Sequence, residues 1–280
     1  MNIQQGLDLT LSRLDSFSDT PSLDGQVLVA HILSKPRSWA MAHSDRELTA
    51  YQQDALLASI SRLASGEPLP YVLGHWEFYG LDLEVSPDVM IPRPETELLV
   101  EKSLDWLESK PGSRSAIDVG TGSGCIAISL LMRFRDLHMV ATDISSSAIA
   151  VAQHNAARFS VADRVDFVCC DLLSSDNQAF NLIVANLPYI PTDTMKNLPI
   201  HGKEPALALD GGSDGLELIQ RLITLAPSFL SPGGLVLLEI ESGQGMAALS
   251  LASDNFSRAS VHVHRDLSRR DRLLEIQTHS

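Results

Sequence analysis

The sequence has no long apolar run. Nothing in it approaches the roughly 20 consecutive apolar residues that a membrane-spanning helix needs, so no membrane association is expected. The N-terminus, Met1 to Asp8, also lacks the basic and apolar regions of a signal peptide, and a cytoplasmic location is expected. Cysteine is scarce. Cys125, Cys169 and Cys170 have neither metal-ligand spacing nor the even number of a disulfide framework, which predicts reduced, mostly buried thiols and no bound metal. Positive charge is short as well: 21 Lys and Arg against 35 Asp and Glu leave a net charge of −14. Phosphate backbones are bound through dense Lys and Arg contacts that release counterions. The only compact basic cluster lies between Arg265 and Arg272, so the balance weighs against direct nucleic-acid binding.

What is present describes a globular protein with ample core: 280 residues, 44% of them hydrophobic, enough for one large domain or two smaller ones. Residues 1 to about 70 read as helical. Ile3, Leu7, Leu11 and Leu14 recur at three- and four-residue steps, which places them on one helix face. Ser44-Asp45-Arg46-Glu47 has the pattern of a capping box, and Leu48, Ala55, Leu56, Ile60 and Leu63 continue a helix that Gly66 can stop. A linker over 71–92 follows, in which "HWEFYGLDLEV" predicts a β-hairpin around Tyr79-Gly80. In "IPRPETELLVE", two prolines stiffen the chain before a helix that is expected from Glu95. A helix N-terminus preceded by Arg93 suits an anion or simple capping equally well.

Over 93–280, strand and helix signals alternate. "SAIDVG", "MVATDI", "RVDFVCC", "NLIVAN", "GGLVLLEI", "SVHVHR" and "RLLEIQ" are strand-like, and helical patterns separate the first five. This predicts an α/β fold with a seven-stranded, mostly parallel sheet covered on both faces. The short final link makes the last strand antiparallel to its neighbour.

Ligands of open α/β sheets bind at the carboxyl ends of the strands. The first strand ends in "DVGTGSGCIAISL", a glycine-rich turn into a helix, whose Gly120, Gly122 and Gly124 permit close backbone approach. The second ends at Asp143, where an acid can accept hydrogen bonds from ribose hydroxyls. Those two features allow a dinucleotide or S-adenosylmethionine. The third strand ends in Asp171-Leu172, and an Asp there can accept from an adenine amino group.

The fourth ends in Asn186-Leu187-Pro188-Tyr189. A planar NH2 group is a poor nucleophile because its lone pair is delocalised. The Asn186 side-chain oxygen and the Leu187 carbonyl can take its two hydrogens, direct its lone pair at a sulfonium methyl and stabilise the charge developing on nitrogen. Tyr189 can stack on the planar group, and Pro188 keeps Leu187 extended.

With "YVLGHWEFYGL", "IPRPETELLVE", "DVGTGSGCIAISL", "TDIS", "NLIVANLPYI", "EPALALDGGSDGLELI", "SPGGLVLLEI" and "RDLSRRDRLLEI", the sequence resembles the PrmC/HemK family over nearly its whole length. The Pro-Arg-Pro-Glu-Thr-Glu segment separates that family from other amino-methyltransferases. The resemblance implies a Rossmann-like class I methyltransferase domain behind a helical domain that docks the substrate. The implied reaction transfers a methyl group from S-adenosylmethionine to the side-chain amide of the glutamine in the Gly-Gly-Gln motif of class-1 peptide chain release factors. S-adenosylhomocysteine is then the product, and nothing demands more than a monomer.

It further implies that Gly120, Thr121, Gly122, Ser123 and Gly124 wrap the methionine part of the donor. Asp143 holds the ribose, Asp171 and Leu172 lie at the adenine, and Asn186 to Tyr189 bind the glutamine. Glu204-Pro205 matches a further segment of the family. One position departs: the family usually has Asn-Pro-Pro-Tyr, and Asn-Leu-Pro-Tyr resembles the ribosomal RNA adenine dimethylases, which lack the N-terminal segments quoted above. A glutamine methyltransferase for a ribosomal protein, and a non-catalytic donor-binding module, are the other readings. Pro-Arg-Pro-Glu-Thr-Glu speaks against the former and the complete strand-end set against the latter.

Overall fold

The computed structural model describes residues 1–16, 18–110, 114–173 and 179–279. The chain divides into two compact units, Met1–His75 and Trp76–Ser280.

The first unit is helical: α1 (Ile3–Leu14), α2 (Pro21–Leu33), α3 (Arg37–Ala42), α4 (Ala50–Ala64) and α5 (Leu69–Leu73). Two features of this unit differ from the expectation. The helix after residue 44 is capped by Thr49 and Gln52, which exchange side-chain and backbone hydrogen bonds of 3.2 and 3.0 Å; Ser44 and Glu47 form no such box. Glu47 is instead tied to the N-terminal amine at 3.1 Å. On α1, Ile3, Leu7 and Leu14 are buried together with Gly6 and Thr10, but Leu11 is 41% exposed. At 100° per residue it lies about 40° beyond Leu7, at the edge of the buried arc. A second capping box, Asn2 with Gln5, starts α1.

The second unit opens with the expected hairpin, β1 (His75–Phe78) and β2 (Leu81–Glu84), whose turn places Tyr79 and Gly80 at positive φ. A 3₁₀ turn at Pro94–Thr96 precedes α6 (Glu97–Ser109), so the helix proper begins two residues later than expected. Then follow β3 (Arg114–Val119), α7 (Cys125–Arg133), β4 (Leu137–Asp143), α8 (Ser146–Arg158), β5 (Val165–Cys169), β6 (Phe180–Ala185), α9 (Thr192–Met195) and α10 (Glu217–Leu225). β7 (Leu230–Glu239), α11 (Gly245–Asn255), β8 (Ala259–Arg265) and β9 (Asp271–Thr278) complete the chain.

The sheet order is β5-β4-β3-β6-β7-β9-β8. All pairings are parallel except those of β9, which runs antiparallel between β7 and β8. The five-residue link from β8 cannot carry the chain back to the other end of the sheet, and this fixes the direction of β9.

Alternation along the central strands builds a core on each face. Ala116, Leu182, Val184 and Leu237 pack with residues of α6, α7 and the hairpin, including Phe78, Leu83 and Leu99. Ile117, Ile183, Ala185 and Leu238 pack with α10 and α11 on the opposite face. Side chains of successive residues point to opposite faces, so strands covered on both sides read as continuous apolar runs. The expectation of mostly buried cysteines fails. Cys169 is exposed at the end of β5, the edge strand; Cys170, just after it, and Cys125, at the start of α7, are partly exposed.

Candidate active site

β3 runs into the turn Gly120–Gly124, and the turn is anchored to the neighbouring strand. The N–H groups of Gly120 and Thr121 both donate to the Thr142 carbonyl at 2.8 Å. Gly120, Gly122 and Gly124 all adopt positive φ, a conformation open to glycine without steric penalty. Their surroundings differ. The space beside Gly122 is open and belongs to the cleft. Gly124 is the N-cap of α7, and a Cβ there would stand 3.0 Å from Ile128 and 3.2 Å from Ala152, so its absence lets α7 and α8 approach. Of the five turn residues, Gly120, Thr121, Gly122 and Ser123 line the cleft, and Gly124 packs behind it.

Under the turn lies Asp118, fully buried. Its Oδ2 accepts from the Thr121 hydroxyl at 2.7 Å and from the Ala127 N–H at 3.3 Å, whereas Oδ1 has no hydrogen-bond partner among the described residues. Burial pushes its pKa up to about 7, against the pull of those two hydrogen bonds. Asp143, at the end of β4, receives the Gly122 N–H on one carboxylate oxygen and the Ser145 N–H on the other, both at 2.9 Å. It thereby fixes the glycine turn and the start of α8 together, with lone pairs left over toward the cleft that it lines.

Beyond β5, Asp171 pairs with Arg221 at 2.7 Å, and both line the cleft. Leu172 takes positive φ, stabilised by the Thr142 hydroxyl donating to its carbonyl at 2.7 Å. Ile144, 54% exposed, and Leu218 add apolar wall. A glycine turn open at Gly122, a carboxylate with spare lone pairs and apolar flanks fit the amino-acid end, ribose and adenine of S-adenosylmethionine.

The end of β6 meets the same cleft. Asn186, Leu187 and Pro188 line it; Tyr189 does not. The Asn186 Nδ2 donates to the Thr96 hydroxyl at 3.0 Å, and the Tyr189 hydroxyl donates to Glu239 at 3.1 Å. Burial and the nearby Glu239 charge drive the Tyr189 phenol well above its ordinary pKa. The backbone here is gripped from outside. A Cβ on Gly211 would stand 2.8 Å from the Pro188 carbonyl, and one on Gly215 only 2.2 Å from that of Tyr189. Gln244 also donates to the Tyr189 carbonyl at 3.0 Å.

Thr96, Glu239, Gly211 and Gly215 were not singled out by sequence reasoning. The first lay inside the quoted Pro-Arg-Pro-Glu-Thr-Glu, the second in "LLEI" and the glycines in "DGGSDG". Arg93, an anion-site candidate on sequence grounds, is instead ion-paired with Glu204, whose other oxygen accepts from the Ile91 N–H at 3.1 Å. Glu204 thus pins the segment that carries Thr96. Cys125 is not the nucleophile of this site: burial pushes its thiol up to about 12.

Known proteins similar to this chain are numerous. A release factor glutamine methyltransferase of Moorella thermoacetica is 39% identical over 275 residues, covering 97% of each chain. One from Koribacter versatilis is 40% identical over 246 residues, 86% of each. The chain belongs to the release factor glutamine methyltransferase family. Within it, residues 7–74 match the PrmC N-terminal domain and residues 95–201 the methyltransferase small domain. A methyltransferase from Pyrococcus furiosus shares the fold, with a TM-score of 0.53 at 17% identity over 83% of this chain and all of that one. The strand order and the antiparallel β9 are those of a class I methyltransferase.

Proposed function

We propose that the protein transfers a methyl group from S-adenosylmethionine to the side-chain amide nitrogen of the glutamine in the Gly-Gly-Gln motif of class-1 peptide chain release factors. The observation that carries this reading is the orientation of Asn186. Its NH2 is committed to Thr96, so its Oδ1 is the end left for the cleft.

Bound S-adenosylmethionine supplies an electrophilic methyl on a sulfonium and leaves as S-adenosylhomocysteine. Gly120, Thr121, Gly122 and Ser123 hold the amino-acid end, Asp143 the ribose, and Asp171 with Leu172 the adenine. Gly124 supports the turn from behind. Asn186 Oδ1 and the Leu187 carbonyl accept the two hydrogens of the acceptor amide, which raises electron density on nitrogen and stabilises the positive charge it develops. Pro188 keeps residue 187 extended, and Tyr189 steadies the grip through Glu239. One amide proton leaves to solvent once the carbon–nitrogen bond has formed. No metal takes part.

Residues 1–70 dock the release factor; the hairpin segment 71–92 connects them to the catalytic domain, 93–280. Tyr51, 83% exposed, and Leu57, 51% exposed, lie on α4 and offer apolar surface for that contact. Replacing both with Ser is expected to raise KM for release factor and leave affinity for S-adenosylhomocysteine unchanged. One chain carries the whole strand-end set, so the working unit is a monomer. Its substrate places it in the cytoplasm. Among the described residues, no helix is long and apolar enough to cross a membrane.

The deciding experiment is mass spectrometry of release factor incubated with enzyme and donor, in which the Gly-Gly-Gln peptide gains one methyl. Parallel reactions with tritiated donor and ribosomal RNA or ribosomal protein should stay unlabelled. Label in either of these and none in release factor would overturn the reading, as would absence of transfer to all three.

A further inference from the structure

The only compact basic cluster of this acidic chain lies between Arg265 and Arg272, and none of its residues lines the cleft. It holds four arginines and two aspartates, a surplus of two positive charges in a chain of net −14. Arg265 pairs with Asp271 at 2.9 Å, and Arg272 with Asp266 at 3.4 Å. Arg269 and Arg270 are exposed and form no ion pair among the described residues. The surplus is theirs.

The turn that carries them is fixed in place. Asp266 donates its N–H to the Arg270 carbonyl at 2.9 Å, and its own carbonyl accepts the Arg269 N–H at 2.8 Å. Its carboxylate accepts the Arg270 N–H at 3.0 Å as well as the Arg272 guanidinium. Arg269 is held at a φ of 61°, which is uncommon for a residue with a side chain. Leu267 stands fully exposed on the same turn. The two free guanidinium groups are thus presented on a backbone that needs no ordering on contact, which lowers the entropic cost of binding.

Topology puts this turn on the cleft's side of the sheet. β8 runs antiparallel to β9, and β9 begins beside the end of β7, with Leu273 opposite Glu239. The link between them therefore emerges at the edge that carries Asn186. It lies two to three strand spacings from the end of β6, or about 10–15 Å. Little stands between. A Cβ on Gly245 would come 2.3 Å from the Asp271 carboxylate, and the adjoining Gln244 donates to the Tyr189 carbonyl at 3.0 Å.

We infer that the Asp266–Arg270 turn is a docking surface for an acidic segment of the protein substrate, near the glutamine whose amide enters the cleft. Arg269 and Arg270 pair with carboxylates of that segment, which the planar guanidinium fork matches bidentately. Nucleic acid is the poorer fit, because two free arginines neutralise few phosphates and the rest of the chain repels them. The inference rests on the function proposed above for the identity of the acceptor.

The test uses full-length protein with Arg269→Glu and Arg270→Glu combined, beside the corresponding double Gln variant. The Glu variant is expected to raise KM for release factor about tenfold or more and the Gln variant by less. In both, kcat and affinity for S-adenosylhomocysteine should stay within about twofold of wild type. Salt gives a reading that lost structure would not move: kcat/KM of wild type should fall as ionic strength rises, and that of the Glu variant should not. A short uncharged peptide containing Gly-Gly-Gln should be methylated equally by all three proteins. Equal KM and equal salt dependence in wild type and the Glu variant, with release factor methylated, would overturn the docking surface and leave the proposed substrate standing. Transfer to ribosomal protein instead, with KM raised in the Glu variant, would overturn the proposed substrate and leave the docking surface standing. Transfer to ribosomal RNA that the Glu variant impairs, or transfer to none of the three acceptors, would overturn both.

Discussion

Leu187 lies against Gly120. A Cβ built on the glycine would stand 3.0 Å from Leu187 Cδ2, tighter than most real contacts. The residue by which this chain departs from the usual Asn-Pro-Pro-Tyr thus closes over the turn proposed to hold the donor, 4% exposed and anchored by a side chain that proline would lack. Among the described residues its N–H makes no hydrogen bond, so proline would remove no backbone contact. Leu187→Pro is expected to keep turnover within about tenfold, or about 1.4 kcal/mol of barrier. The lost packing over Gly120 should lower stability by about 1–2 kcal/mol in urea denaturation. Gly120→Ala, strained at positive φ and crowded by Leu187, should weaken donor binding far more than Leu187→Pro does. The reverse order in calorimetric titration would refute the contact as described.

Asn186→Ala removes the oriented acceptor and strands the Thr96 hydroxyl. Turnover should fall by about a hundredfold or more, in line with other lost transition-state hydrogen bonds. Donor affinity should change much less, because the proposed function assigns Asn186 to the acceptor amide. An active alanine variant beside a dead Leu187→Pro would mean that the 187 amide or side chain does the holding.

Asp143→Ala removes a carboxylate that receives two backbone N–H groups and borders the cleft proposed to bind the donor. A charge-assisted hydrogen bond is worth roughly 1.5–3 kcal/mol, so affinity for S-adenosylhomocysteine should drop about ten- to a hundredfold. Circular dichroism should show the fold intact. Unchanged affinity would take Asp143 out of the site.

Asp118 should make stability fall with rising pH. In the folded protein it titrates at about 7, and at an ordinary carboxylate value of 3.8 once released from burial. Between those values the native state holds a proton that the unfolded chain has lost, so this residue's contribution declines as pH rises from about 4 to 7 and is flat above. The slope is at most about 1.4 kcal/mol per pH unit. Asp118→Asn removes the titration. Urea unfolding at pH 5 and pH 8 should therefore show wild type losing stability relative to the variant; parallel profiles would place the Asp118 pKa elsewhere.

Periodicity and strand-end chemistry are local properties, and they were legible. All seven sheet strands, the hairpin and the antiparallel last strand followed from alternation, turn residues and a link too short to cross over. So did the glycine turn, Asp143, Asp171 and Asn186, because in a parallel sheet every strand delivers its C-terminal residue to one edge. The capping of α4 was misplaced because Ser44 to Glu47 has the right residue types, and only the pull of the N-terminal amine on Glu47 shows that they serve elsewhere. Long-range pairing was invisible. Nothing in "PRPETE" announces that Thr96 faces Asn186, 90 residues on, or that Glu204 reaches back to Arg93. The glycines of "DGGSDG" look like any turn until Gly211 and Gly215 are found against the backbone of Pro188 and Tyr189. The sequence by itself determined which groups stand at the edge of the sheet, since strand period and chain direction dictate that. Only the tertiary structure decided which way each points, because a side chain's orientation depends on partners that folding, not sequence adjacency, brings within hydrogen-bonding distance.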